Sequence, residues 1–131
     1  VGRECLSAAV VLADRPPPNS VMPIYRYWGA HAANMKKGFR GGNAGERAGL
    51  GGVPYGALVP ADLDNVFACG LDIAVEEDYV ETIRMMPSCI ASGQVAGTAA
   101  ALALDRSLAD VGAVPYADLV KRLEAQGHVV A

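Results

Sequence analysis

From Met86 to Leu104 the chain carries no charged residue, and alanine, glycine and serine dominate it. No other stretch restricts the fold as strongly. Few of its residues are β-branched or aromatic, which disfavours a strand. Its alanine content favours a helix. The composition predicts one running from Met86-Pro87-Ser88 to about Leu104, with Pro87 at its N-terminal edge and Ser88 as N-cap or first-turn residue. A charge-free helix of this length is expected to be buried on most sides. Gly93 and Gly97 stand four residues apart, so they share one face. A neighbouring backbone, or a flat ligand, could approach closely there.

The other elements read as shorter. Residues 4–13 are expected to form a strand on the strength of Val10, Val11 and Leu12, ended by the triple proline at 16–18. Residues 21–28 are expected to form a second strand through Ile24, Tyr25, Tyr27 and Trp28. Val53-Pro54-Tyr55 opens an extended piece that ends at Pro60. Asp64-Asn65 reads as a turn, and Val66-Phe67-Ala68-Cys69 as a buried strand ended by Gly70. The acidic run at 72–81 reads as a solvated turn or helix start. A last amphipathic helix over residues 116–126 points Leu119, Val120 and Leu123 inward, with Gly127 as its cap. The fold class implied is α+β, with short strands in the first half and two C-terminal helices.

Composition narrows the function. The chain has 131 residues, of which 52% are hydrophobic and 19% charged, which suits one small domain with a core. A net charge of -3 argues against a nucleic-acid partner. Cys5, Cys69 and Cys89 form no C-x-x-C pair, and His31 and His128 lie far apart, so no metal site is expected. No apolar run has the roughly 18 residues needed to span a bilayer, and no signal peptide is visible. A reducing, cytoplasmic setting is the expectation. The chain begins at Val1, which leaves open whether it is a processed product or a piece of a longer one.

Glycines crowd residues 38–52, with Lys36, Lys37, Arg40 and Arg47 among them. A phosphate-binding loop and a surface loop are the competing readings. Neither G-x-G-x-x-G nor G-x-x-x-x-G-K-[ST] can be written through these positions, because Pro54 stands where the closest register needs its third glycine. That favours the surface loop.

Three motifs follow one another in the second half. They are Val53-Pro54-Tyr55-x-Ala57-Leu58-Val59-Pro60, Leu63-Asp64-Asn65-Val66-Phe67-Ala68-x-Gly70, and the run from Ile83-Arg84-Met85-Met86-Pro87-Ser88 through Gly93-Gln94 and Ala96-Gly97-Thr98 to Ala103. In this order and spacing they resemble the C-terminal signature of bacterial FAD-dependent oxidoreductases of the glutathione-reductase-like class. The opening Val1-Gly2-Arg3-Glu4 is similar to a family segment that leads into a strand.

The resemblance implies a piece of a larger Rossmann-like FAD/NAD(P)-binding flavoprotein. Residues 1–60 would then close the substrate domain, and 61–131 would return to the FAD-binding domain. The N-terminal Rossmann portion would be the partner that grips FAD, and a small molecule the substrate. Gly70, Leu71, Arg84, Met86, Pro87, Ser88, Cys89 and Ile90 would lie at the flavin, with the helix N-terminus facing its ring. No residue is assigned a catalytic role. Two positions depart from the family pattern, which has Arg where Gly56 and Leu71 stand here. Arg is the natural partner of a phosphate or carboxylate, so substrate and activity are open at both positions.

Competing readings stand beside these. The whole could be a binding or structural module, or a partner subunit, that kept the scaffold without the chemistry. Arg84 could be a surface ion-pair partner of Asp78 or Glu81. Cys89 reads as a small packed residue, since the sequence places no second cysteine close to it.

Overall fold

The computed structural model describes residues 1–11, 13, 15–24 and 51–131. They form an α+β arrangement: α1 (Ala8–Val11), β1 (Ser20–Pro23), β2 (Gly52–Pro54), α2 (Met86–Asp105) and α3 (Tyr116–Ala125). Four 3-10 turns connect them, at Tyr55–Leu58, Gly70–Asp72, Glu77–Thr82 and Val111–Ala113. β1 and β2 pair antiparallel, with Ser20 opposite Pro54, Met22 opposite Val53, and an irregularity between Ser20 and Met22. Val21, Met22 and Val53 are fully buried, and the sheet packs on α2.

The N-terminal residues run extended between two later segments. Arg3 N–H donates to Val59 O (2.8 Å), and Glu4 N–H to Gly56 O (3.1 Å). On the other side, Leu6 N–H donates to Ala74 O (2.9 Å) and Glu76 N–H to Leu6 O (3.2 Å). Gly2 serves this threading, because a Cβ there would lie 2.6 Å from Ala74 Cβ and 2.7 Å from Glu4 O. The core is continuous, from Leu6 and Val11 through Leu58, Val59, Ile73 and Ile83 to Val95, Ala99, Leu119 and Leu123.

Several expectations change. The strand over 4–13 is broken. Val10 and Val11 lie in a helical turn whose amides both donate to Ser7 O (3.0 and 2.9 Å). The Glu76 carboxylate accepts from Ala8 N–H at 2.9 Å and caps that turn from across the fold. The second strand is found at Ser20–Pro23, and positions 25–28 lie outside the described residues. So does the glycine-rich loop except for Gly51 and Gly52, the latter paired in β2. The piece after Val53 turns into a 3-10 turn at Tyr55 instead of staying extended to Pro60. Residues 66–69 form no strand, and Val66 and Cys69 are exposed. They are tied to the core by Ala68 N–H to Leu58 O (2.8 Å) and by Phe67, which packs against it with its ring 6.1 Å from that of Tyr55.

α2 matches its expected start and ends one residue past Leu104. Leu108 N–H reaches back to Ala103 O (2.8 Å), with Ser107 at φ 53°. Its burial is one-sided. Ser88, Ala91, Ser92, Val95, Ala99 and Leu102 face the core. Met86, Ile90, Gly93, Gly97 and Leu104 are exposed, and a Cβ on either glycine would meet nothing within 4 Å among the described residues. Among the described residues the small-residue face is thus open, contrary to burial on most sides. α3 buries Leu119 and Leu123 completely and leaves Val120 half-buried. It ends at Gly127 (φ 78°), with His128 N–H returning to Leu123 O (3.0 Å).

Candidate functional site

The eight candidate residues fall on two neighbouring elements and the link between them. Gly70 and Leu71 belong to the 3-10 turn at Gly70–Asp72, which packs on α2. Gly70 holds φ 65°, a left-handed conformation that favours glycine. Its N–H donates to Ser92 Oγ (2.9 Å), and that hydroxyl donates in turn to Cys89 O (3.0 Å). A Cβ at Gly70 would lie 3.8 Å from Cys89 Sγ. Ser92 thus pins the turn to the helix. In the sequence a serine inside a small-residue helix reads as filler. The only local signal is its place one turn after Cys89.

Met85 is the N-cap of α2 and supplies no side-chain cap. Cys89 N–H already donates to Met85 O (3.1 Å), and Ile90 lies within the helical ladder. Pro87 has no N–H. The first-turn amides without a partner among the described residues are therefore those of Met86 and Ser88. Ser88 is the third residue of the helix, not its cap. Its side chain is fully buried and donates to Thr82 O (3.3 Å), which ties the helix start to the preceding 3-10 turn. Cys89 is half-buried, its thiol 3.7 Å from Ile83 O. Arg84 is exposed, with its backbone N–H on Val80 O (3.2 Å).

Around these polar groups lie apolar side chains turned to solvent. Leu71 is 61% exposed, Met86 78% and Ile90 71%. Single exposed leucines are unremarkable, but three beside two unpartnered amides suit an apolar ligand with a polar edge. The helix N-terminus adds roughly half a positive elementary charge.

Both positions where Arg was expected have defined surroundings. Gly56 is buried, and its N–H donates to Glu4 Oε2 (2.9 Å), which also accepts from Asn19 Nδ2 (2.6 Å). The Glu4 carboxylate occupies the space a side chain at 56 would take, 2.5 Å from a Cβ there. Tyr55, in the same motif, donates its hydroxyl to Val111 O (2.7 Å), and burial pushes that hydroxyl well above the usual range. This makes it a structural group.

Among the described residues no group of three His, Cys, Asp or Glu could hold a metal ion, and no helix is long and apolar enough to cross a membrane. A family model described as FAD dependent oxidoreductase matches residues 2–123. No curated protein and no solved structure matches.

Proposed function

Because this chain belongs to the FAD dependent oxidoreductase family, we propose that it acts as the C-terminal part of such an enzyme and closes its flavin site. The observation that carries the reading is the Ser92-pinned turn at Gly70 beside the uncapped start of α2. The residues present fit the pyrimidine edge of a flavin. The Met86 and Ser88 amides would face it, with Gly70, Leu71, Arg84, Pro87, Cys89 and Ile90 around them. When bound, FAD supplies the hydride-transfer chemistry, and its reduced form carries negative charge at that edge.

The chain's own contribution is electrostatic and positional. The helix start offers fixed donors and a positive dipole end where that charge develops, so little reorganisation is needed. Pro87 removes one donor and fixes the direction of the first turn. Leu71, Met86 and Ile90 would exclude water from the ring. The open face at Gly93 and Gly97 would receive the backbone of the partner, a dinucleotide-binding Rossmann portion of the glutathione-reductase-like, bacterial type, in a cytoplasmic enzyme. Residues 1–60 would finish the substrate domain and 61–131 the flavin domain.

A second reading, a non-catalytic module on the same scaffold, draws support from Gly56 and Leu71, which leave the expected Arg positions without a cation. Flavin fluorescence separates the readings. The chain alone should bind FAD weakly or not at all, since the glycine-rich turn that holds the pyrophosphate belongs to the Rossmann portion. Co-expressed with a family Rossmann portion, it should give a yellow complex. Tight stoichiometric binding by the chain alone overturns the proposed division of labour. A folded but colourless complex overturns the flavin site and leaves the module.

A further inference from the structure

A chain of polar side chains running from the buried His128 to the exposed Gln126, independent of the flavin reading, joins β1, α2 and the end of α3. His128 is 9% exposed. Its Nε2 lies 2.8 Å from Val21 O, and its Nδ1 lies 3.1 Å from Gln94 Oε1. Gln94 Nε2 donates to Gln126 Oε1 (3.1 Å), and that oxygen also accepts the Thr98 hydroxyl (3.1 Å).

The polarity of these bonds is restrictive. A carbonyl only accepts, so Nε2 carries a proton whenever it bonds to Val21 O. Nδ1 faces an amide oxygen, so this arrangement requires the second ring proton as well. A neutral ring would set a nitrogen lone pair against an oxygen lone pair. One rearrangement removes the conflict. Gln94 turns its amide over and donates to Nδ1, and its oxygen then needs a donor. Gln126 must turn over too, donating to Gln94 Oε1 and to Thr98 Oγ. The Thr98 hydroxyl then donates to the backbone carbonyl four residues back, at Gln94. In both arrangements each facing pair joins a donor to an acceptor, whereas a mixture leaves like facing like.

We propose that His128, Gln94, Gln126 and Thr98 form a proton-directed hydrogen-bond chain, in which gain or loss of the His128 Nδ1 proton reverses both amides together. The charged ring makes charge-assisted bonds to Val21 O and Gln94 Oε1, the stronger of the two sets. Of the elements the ring touches, α2 meets it through the neutral Gln94, and the charged residue of α2, Asp105, pairs with Arg122 (2.8 Å). β1 presents backbone. α3 brings Tyr116, whose hydroxyl donates to Ser20 O (2.6 Å), and Glu124, which acts on Tyr116.

The test follows ring ¹⁵N and glutamine side-chain amide signals of the labelled full chain from about pH 5 to 8.5, the span in which histidine ordinarily changes charge. The Gln94 and Gln126 amide signals should shift with the same midpoint as Nδ1. In Gln94→Leu, the Gln126 signals should stop following the ring. The exposed Gln126→Ala gives the converse: the Gln94 response should shrink by at least half. Amides that stay fixed while the ring titrates overturn the proposal. So does a ring that never changes protonation over this range, or a Gln126 response unaltered in Gln94→Leu. Should Gln94→Leu fail to fold, an undiminished Gln94 response in Gln126→Ala overturns it alone.

Discussion

Gly70→Ala isolates the backbone demand of the turn that meets α2. At φ 65° an L-residue is disfavoured, by roughly 1–2 kcal/mol. Packing adds little, because the new Cβ would meet Cys89 Sγ at 3.8 Å, an ordinary contact. Alanine also narrows the unfolded ensemble, which offsets a few tenths of a kcal/mol. The net loss expected is about 1 kcal/mol. With a urea slope of about 1–3 kcal/mol/M for small proteins, the midpoint should fall by about 0.3–1 M with the slope unchanged. Gly70→Asn should lose about half as much, because Asn tolerates the left-handed region. Gly70→Val should lose most, through its branched Cβ. An alanine variant as stable as the parent would refute the conformational argument. Equal losses for Asn and Ala above about 3 kcal/mol would mean that contact, not φ, sets the cost.

The buried Ser88 hydroxyl donates to Thr82 O, so Ser88→Ala should cost about 1 kcal/mol by urea denaturation. Ser88→Asp would push a carboxylate against that carbonyl and should cost about 3 kcal/mol or more, and a neutral result would contradict the geometry. Asp110 is held below the usual carboxylate range first by the hydrogen bond from Arg3 and then by Gly112 N–H. Its stabilisation is complete above the unfolded value, about 4, and is lost as pH falls through the lowered folded value. Arg3→Gln should flatten the acid limb of a plot of urea midpoint against pH, and parallel limbs would count against the pair. A side chain at Gly56 meets the flexible end of Glu4, so an arginine there can displace the carboxylate and pair with it. Gly56→Arg should cost about 1–3 kcal/mol, because the displaced carboxylate leaves the Gly56 N–H unpaired, while Gly56→Leu, gaining no ion pair, should cost more. Equal costs for the two would sink the idea.

The helices were readable because their signals are local. Pro87 near the start, an alanine-rich interior, and Gly127 after Leu123 mark α2 and α3 without reference to anything distant. The first segment was misread because its arbiter is distant. The Glu76 carboxylate caps Ala8 from another part of the chain and turns Val10 and Val11 into helix against their β-propensity. Residues 66–69 have the apolar composition of a buried strand but no strand beside them among the described residues, so composition alone overshot. At the candidate site the positions of Gly70 and the helix start were legible, whereas the donors were not. Which amides remain unpaired depends on Met85 O accepting from Cys89. The hydroxyl that fixes the turn comes from Ser92, and no motif marks it.

Among the described residues the sheet has two strands, and an unpaired edge of such a sheet is a place where a foreign chain can add as a further strand. β1 is guarded from this by side chains from the opposite end of the sequence. Tyr116 holds Ser20 O and His128 holds Val21 O, so consecutive carbonyls are already engaged before any incoming strand could reach them. Pro23 and Pro54, at the ends of β1 and β2, remove an amide donor from each strand. Among the described residues the C-terminal segment thus covers backbone acceptors of β1, and a chain cut short after α3 would leave Val21 O without the His128 ring.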